Sequence, residues 1–198
     1  MCAPTQDKHN AFPPIAGIVP RLDPIPDSLK EGAWEALSKG NFRHFLLAAP
    51  SDTRLWLVWE NARLLVTLGI YEPALLIAYT DGRVNWWDWS SKELNFLFHI
   101  ANREKLRAAG DPLPGPGPFT LYRGVSGSRR VRRVSGFSWT ASFEQAQRFS
   151  ERFATLVPDP AVYRLVVPQV AVLAYTNERE EEEFIVEVFP WLRPVKCT

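Results

Sequence analysis

Residues 111–118 read DPLPGPGP, so four of eight consecutive positions are proline and two are glycine. Each proline removes a backbone donor, fixes its own φ and pushes the residue before it away from the helical region. Neither a helix nor a central strand passes through such a stretch, and it reads as a linker. The hydrophobic pattern changes across it. On its N-terminal side apolar residues recur at three and four; on its C-terminal side they come in short β-rich runs.

Residues 1–26 carry six prolines and are expected to form an extended arm that lies over the surface or is partly disordered. Asp27 or Ser28 caps a predicted helix that runs to about Lys39 and stops at Gly40. A short helix with Phe42, Phe45 and Leu46 on one side follows at 41–49. From 52 to 69, Leu55, Val58, Trp59, Ala62, Leu65 and Val66 repeat with the period of one helical face. Leu57, Leu64 and Leu68 widen that face, which predicts one largely buried helix. Residues 71–79 predict another. Ser90 and Glu93 have the spacing of a capping box and open a helix striped by Leu94, Leu97, Phe98, Ala101 and Lys105.

Six of the eight tryptophans lie in this helical half: Trp34, Trp56, Trp59, Trp86, Trp87 and Trp89. They are large core fillers, or, where Trp86, Trp87 and Trp89 crowd one polar-flanked loop, a binding face.

Beyond the linker, strands are predicted at 119–123, 136–140, 162–167, 170–175 and 184–189, with one helix at 143–154. The expected fold is α+β. A helical lobe at 27–110 packs on a mixed, mainly antiparallel β-core at 119–198, and 27–198 forms one compact domain.

Composition narrows the function classes. A net charge of +1 over 198 residues gives no overall field toward nucleic acid or a membrane. Cys2 and Cys197 stand at opposite ends, outside any metal-ligand spacing, so neither a disulfide framework nor a metal site is expected. No apolar run reaches the roughly 18 residues of a membrane span. The start MCAPTQDKHN lacks a basic stretch followed by an apolar core, so no cleaved secretory signal is expected. A cytoplasmic chain fits, as does one exported by a route without such a signal. No Gly-x-Ser-x-Gly elbow or phosphate-binding glycine loop occurs, and His9, His44 and His99 have no paired nucleophile.

Three pieces of the β-rich half carry candidate chemistry. Arg123, in Leu121-Tyr122-Arg123-Gly124, sits at a strand end where the glycine leaves backbone open to a ligand, and its planar fork suits phosphate or carboxylate. Ser138 and Thr140 flank Trp139 on a predicted strand, which puts both hydroxyls on one face and the indole on the other. That strand runs through Ser142 into a helix whose Ala146 and Phe149 pack back. Glu181 and Glu183 alternate ahead of Phe184-Ile185-Val186, so an extended backbone would project both carboxylates to one side. Each piece alone also reads as an ordinary solvated strand end or loop.

Taken in order, the three pieces resemble the arginine-serine-glutamate branch of the mono-ADP-ribosyltransferase superfamily. That family has an arginine on the first core strand, a Ser-Thr-Ser-like strand followed by a helix, and a Glu-x-Glu pair before an apolar strand. The resemblance covers about 119–190. This chain departs from the pattern in placing Trp139 at the centre of the hydroxyl motif and in having only 14 residues between Arg123 and Ser138. The resemblance implies a β-core of ADP-ribosyltransferase type and an enzyme that cleaves the nicotinamide–ribose bond of NAD, the co-substrate, with no metal.

In that reading Glu183 stabilises the cationic sugar, Ser138 holds Glu183 and the ribose in register, Arg123 engages the pyrophosphate, and Gly124 main chain meets the carboxamide. Thr140 belongs with the NAD contacts. Glu181 goes with an arginine acceptor on a target protein, and Tyr175 and Glu178 fall in the loop that would meet it. The implied setting is a toxin or effector, with a cognate immunity or inhibitor protein as a further partner. Arg129, Arg130, Arg132 and Arg133 form either a solvated loop or a clamp for phosphates or an acidic target, and nucleic acid as acceptor stays open. Two other classes remain: an NAD glycohydrolase, which needs Arg123, Ser138 and Glu183 but not Glu181, and a non-catalytic binding module with a degenerate site.

Overall fold

The computed structural model describes residues 12–81, 88–127, 132–152, 157–177 and 181–197. Among them are eight α-helices and a six-stranded sheet, an α+β fold. The chain divides into two compact units, the first ending at Asn102 and the second starting at Arg103. The division precedes the proline-rich stretch: the helix expected to run from Ser90 through Lys105 stops at Ile100, where Ala101 turns extended, and residues 103–109, expected in the helical lobe, form a separate helix in the β-rich unit.

In the first unit α1 (Asp27–Ser38) begins directly after Pro26. Asp27 pairs with Lys30 at 2.7 Å and does not act as a side-chain cap. Gly40 ends the helix at φ +72°, a conformation glycine adopts without a Cβ clash, and Asn41 N–H closes back onto Ala36 O. Asn41 then caps α2 (Phe42–Leu47) by accepting from His44 N–H at 3.1 Å.

The single helix expected at 52–69 is two, α3 (Arg54–Glu60) and α4 (Ala62–Thr67), joined at Asn61. Asn61 is buried, accepts from Arg21 N–H at 2.8 Å and donates to Arg21 O at 2.8 Å and Leu57 O at 2.9 Å. Apolar periodicity runs through this break, and the residue at the junction, Asn61, binds the strap. That strap is the part of the proline-rich arm after residue 11. Ile15, Leu22 and Ile25 are buried, and Trp34 donates to Pro13 O while stacking on Phe12. The described part of the arm is therefore docked on the helices. α5 (Tyr71–Thr80) is buried nearly throughout, and α6 (Ser91–Ile100) starts with the expected capping box of Ser90 and Glu93.

The tryptophans form a packed group: Trp89 is buried, stacks on Trp56 at 4.2 Å and meets Trp59 edge-on, and Trp59 in turn meets Phe96. Trp86 and Trp87 lie outside the described residues.

The second unit holds α7 (Arg103–Ala109), β1 (Phe119–Val125), β2 (Ser138–Thr140), α8 (Phe143–Glu151), β3 (Ala161–Val167), β4 (Val172–Thr176), β5 (Glu183–Val186) and β6 (Val195–Lys196). The strand order is β4-β5-β2-β1-β3-β6, and every pairing is antiparallel. β6, two residues on an edge between Pro194 and Cys197, was not expected from its sequence. One sheet face carries the apolar cluster of Leu121, Trp139, Leu165, Val172, Tyr175 and Phe184. α8 packs on the other through Ala146, which is fully buried; Phe149, expected to pack beside it, stands 36% exposed.

Candidate functional site

Residues from three separate parts of the sequence meet because β1, β2 and β5 are neighbours in the sheet. The register pairs Tyr122 with Thr140, Thr140 with Glu183 and Ser138 with Ile185. Alternation then puts Ser138, Thr140 and Glu183 on one face, and Trp139 and Phe184 on the core face. Glu183 opens β5, and its Oε1 accepts the Ser138 hydroxyl hydrogen at 2.5 Å. Both residues are half-buried, so the carboxylate is oriented by the protein yet still reachable.

Thr140 does something other than contact a cofactor. It is 4% exposed; its hydroxyl donates to Glu181 O at 2.8 Å and accepts from Ser142 N–H at 3.1 Å. With both hydrogen-bonding directions in use inside the fold, it pins the turn before Glu183 and links it to the start of α8. Ser142 caps that helix by accepting from Gln145 N–H.

The expectation that Glu181 and Glu183 share a side rested on continuous extended backbone. Glu182 instead has φ +45°, in the left-handed region that costs a non-glycine residue about 1 kcal/mol or more. Strand alternation therefore stops at Glu183, and Glu181 is placed by the turn, through the Thr140 bond to its carbonyl and the bond from Glu182 N–H to Asn177 Oδ1 at 3.1 Å.

Arg123 leaves β1 on the core face with Leu121, opposite the Ser138 hydroxyl. It reaches Ser138 through main chain: Nη1 donates to Ser138 O and Nε to Arg133 O at 3.2 Å. Gly136 makes room for the guanidinium, since a Cβ there would lie 2.3 Å from Arg123 Nη2. Gly124 is explained by packing as well. A Cβ on it would sit 1.8 Å from Ala146 O, so the close approach this glycine permits is that of α8, not the ligand approach expected from the sequence.

Tyr175 is a core residue rather than part of an exposed recognition loop. It is 6% exposed and packs against Phe184 with ring centroids 4.7 Å apart. Burial, with the nearby charges of Glu182 and Asp111, pushes its phenol above the usual tyrosine range. Glu178 lies outside the described residues, as do Arg129 and Arg130. Arg132 is occupied by main chain, donating to Gly127 O at 2.6 Å in its own loop and to Asp159 O at 2.8 Å ahead of β3, which argues against a phosphate clamp.

Two residues that hold the turn before Glu183, outside the reacting groups, were not singled out in the sequence. Asp111 Oδ2 accepts from Asn177 N–H at 2.8 Å, and Asp111 N–H donates to Tyr175 O at 2.8 Å. The signal that could have pointed to them is an Asx residue at each of two element boundaries, Asn177 after an apolar run and Asp111 at the linker's start.

Among the described residues no group of three or more His, Cys, Asp or Glu side chains is arranged to hold a metal ion, and no helix is long and apolar enough to cross a membrane. No protein-family model, curated protein or solved structure matches the chain.

Chemically, the site offers a carboxylate locked by a hydroxyl donor, a further glutamate, Glu181, two residues earlier on a strained turn, and an arginine bracing the strand that holds the hydroxyl. Fixed negative charge of this kind stabilises positive charge developing on a bound substrate, because it needs no reorganisation as the reaction proceeds.

Proposed function

We propose that this chain is an NAD-dependent mono-ADP-ribosyltransferase that modifies an arginine of a target protein. The observation that supports it most is the hydrogen bond from Ser138 to the Glu183 carboxylate across β2 and β5. The two motifs that resemble the family's hydroxyl strand and Glu-x-Glu pair thus meet through their chemically active atoms.

The reaction breaks the C–N bond between nicotinamide and ribose C1′, and the bond's electron pair leaves with nicotinamide. A sugar cation forms beside Glu183, whose charge stabilises it and whose free orientation is limited by Ser138. A guanidinium nitrogen of the acceptor then bonds to C1′ and loses a proton. Glu181 positions the guanidinium and receives that proton. Arg123 keeps the mouth of β2 in shape for the pyrophosphate by tying Ser138 O to Arg133 O. The products are ADP-ribosylated arginine, nicotinamide and a proton.

The test is transfer of label from NAD to a guanidino acceptor by wild type, Glu181→Ala and Glu183→Ala, with nicotinamide release followed in parallel. Transfer lost in both variants, with hydrolysis retained in Glu181→Ala, supports the transferase. Release that Glu181→Ala leaves unchanged, with no label transferred by wild type, assigns a glycohydrolase instead.

A further inference from the structure

The turn that carries Glu181 is held from outside the three motifs. Asp111, at the start of the proline-rich stretch, accepts from Asn177 N–H at 2.8 Å, and Asn177 Oδ1 in turn accepts from Glu182 N–H at 3.1 Å. Gly110 lets this contact form: a Cβ there would lie 2.3 Å from Tyr175 O, so a larger residue would push Asp111 away from the end of β4. On the opposite side Thr140 holds Glu181 O at 2.8 Å. Between these two anchors sits Glu182 at φ +45°, a conformation that a non-glycine residue keeps only when its surroundings impose it.

We infer that Asp111 and Asn177 are positioning residues that determine specificity, setting whether an acceptor or water takes the ADP-ribose. The inference rests on the transferase reading. The Asn177 bond holds the left-handed turn at Glu182 and so the direction in which Glu181 leaves the chain. Glu183 is secured independently, by Ser138 and by backbone pairing with Thr140 on one side and Thr176 on the other. Loosening the turn therefore acts on the acceptor step and spares cleavage of NAD.

The measurement is the ratio of ADP-ribose transferred to a guanidino acceptor to ADP-ribose released to water, with KM for acceptor and for NAD determined separately. Asn177→Ala and Asp111→Ala are expected to lower the ratio about three- to tenfold, the scale of one lost hydrogen bond, mainly through the acceptor KM, while nicotinamide release stays within about twofold. Asp111→Asn keeps an oxygen for Asn177 N–H and is expected to restore the ratio. Turnover retained with an unchanged ratio, or transfer and release falling in parallel in Asp111→Ala with no rescue by Asp111→Asn, overturns the assignment while leaving the transferase intact. Absence of NAD turnover in wild type overturns the transferase and this inference with it.

Discussion

Ser138 and Glu183, 45 residues apart in sequence, share one hydrogen bond of 2.5 Å between hydroxyl and carboxylate. A bond to a charged acceptor is worth about 1.5–3 kcal/mol, and here it limits the rotamers of the side chain that, in the proposed reaction, meets a cationic sugar. Ser138→Ala is expected to lower kcat for nicotinamide release about 10- to 100-fold with a smaller change in KM for NAD. Steady-state kinetics on purified protein check this. Threonine at 138 retains the hydroxyl and is expected to recover part of the loss.

Arg123 is a brace, and its planar fork is what allows it to serve Ser138 O and Arg133 O together. Arg123→Lys is expected to fail as a conservative change, destabilising the fold by about 1–2 kcal/mol and raising KM for NAD as the mouth of β2 loosens. Urea unfolding and NAD titration read the two effects separately.

Gly124 is fixed by the approach of α8. Gly124→Ala places a methyl 1.8 Å from Ala146 O, within a close-packed layer. The expected cost is about 3 kcal/mol or more, read as a lower urea midpoint with little change in m-value. A midpoint equal to wild type would show that α8 sits farther from β1.

Much of the local structure was legible because it depends on near neighbours. The Ser90–Glu93 capping box and the Gly40 stop are pairwise devices within one or two turns. Ser138 and Glu183 were expected to meet and do, through one hydrogen bond between neighbouring strands, whereas Arg123, expected to face the pyrophosphate, is occupied by the main chain of Ser138 and Arg133. What could not be read is where distant backbone intrudes. Asn61 interrupts a helix with unbroken apolar period because its amide binds Arg21, 40 residues earlier. Tyr175 ends the strand expected at 170–175, and the family resemblance placed it in a target-facing loop, yet pairing of β4 with β5 sets it against Phe184 in the core. Glu181 escapes strand alternation because Glu182 turns left-handed under two tertiary hydrogen bonds, and no local residue choice announces that.

Asn61 ties the N-terminal strap to the helices. Asn61→Leu removes three hydrogen bonds and leaves Arg21 N–H and O to find other partners. The expected loss is about 2–3 kcal/mol, accompanied by faster proteolysis within the first 25 or so residues. Timed digestion with intact-mass analysis follows both the rate and the cut site.

Alkaline pH is expected to weaken the fold through two buried phenols. Burial raises Tyr71, which donates to Leu97 O at 2.8 Å, and burial also raises Tyr175 above the ordinary value of 10.0. The folded chain keeps these protons when the unfolded chain has lost them. Their contribution is therefore complete below the unfolded value of about 10 and is lost as pH rises toward the folded values. Urea midpoints should fall above pH 10, and less steeply in Tyr71→Phe than in wild type.

The most direct measurement is nicotinamide release from NAD by purified wild type beside Glu183→Gln, which keeps the side chain's shape and its hydrogen-bond acceptor but removes its charge. Release by wild type that falls at least about 100-fold in Glu183→Gln, with the urea midpoint preserved, is the expected result. No release by wild type at millimolar NAD, or equal release by the two proteins, would contradict Glu183 as the charge that stabilises the sugar cation as nicotinamide departs.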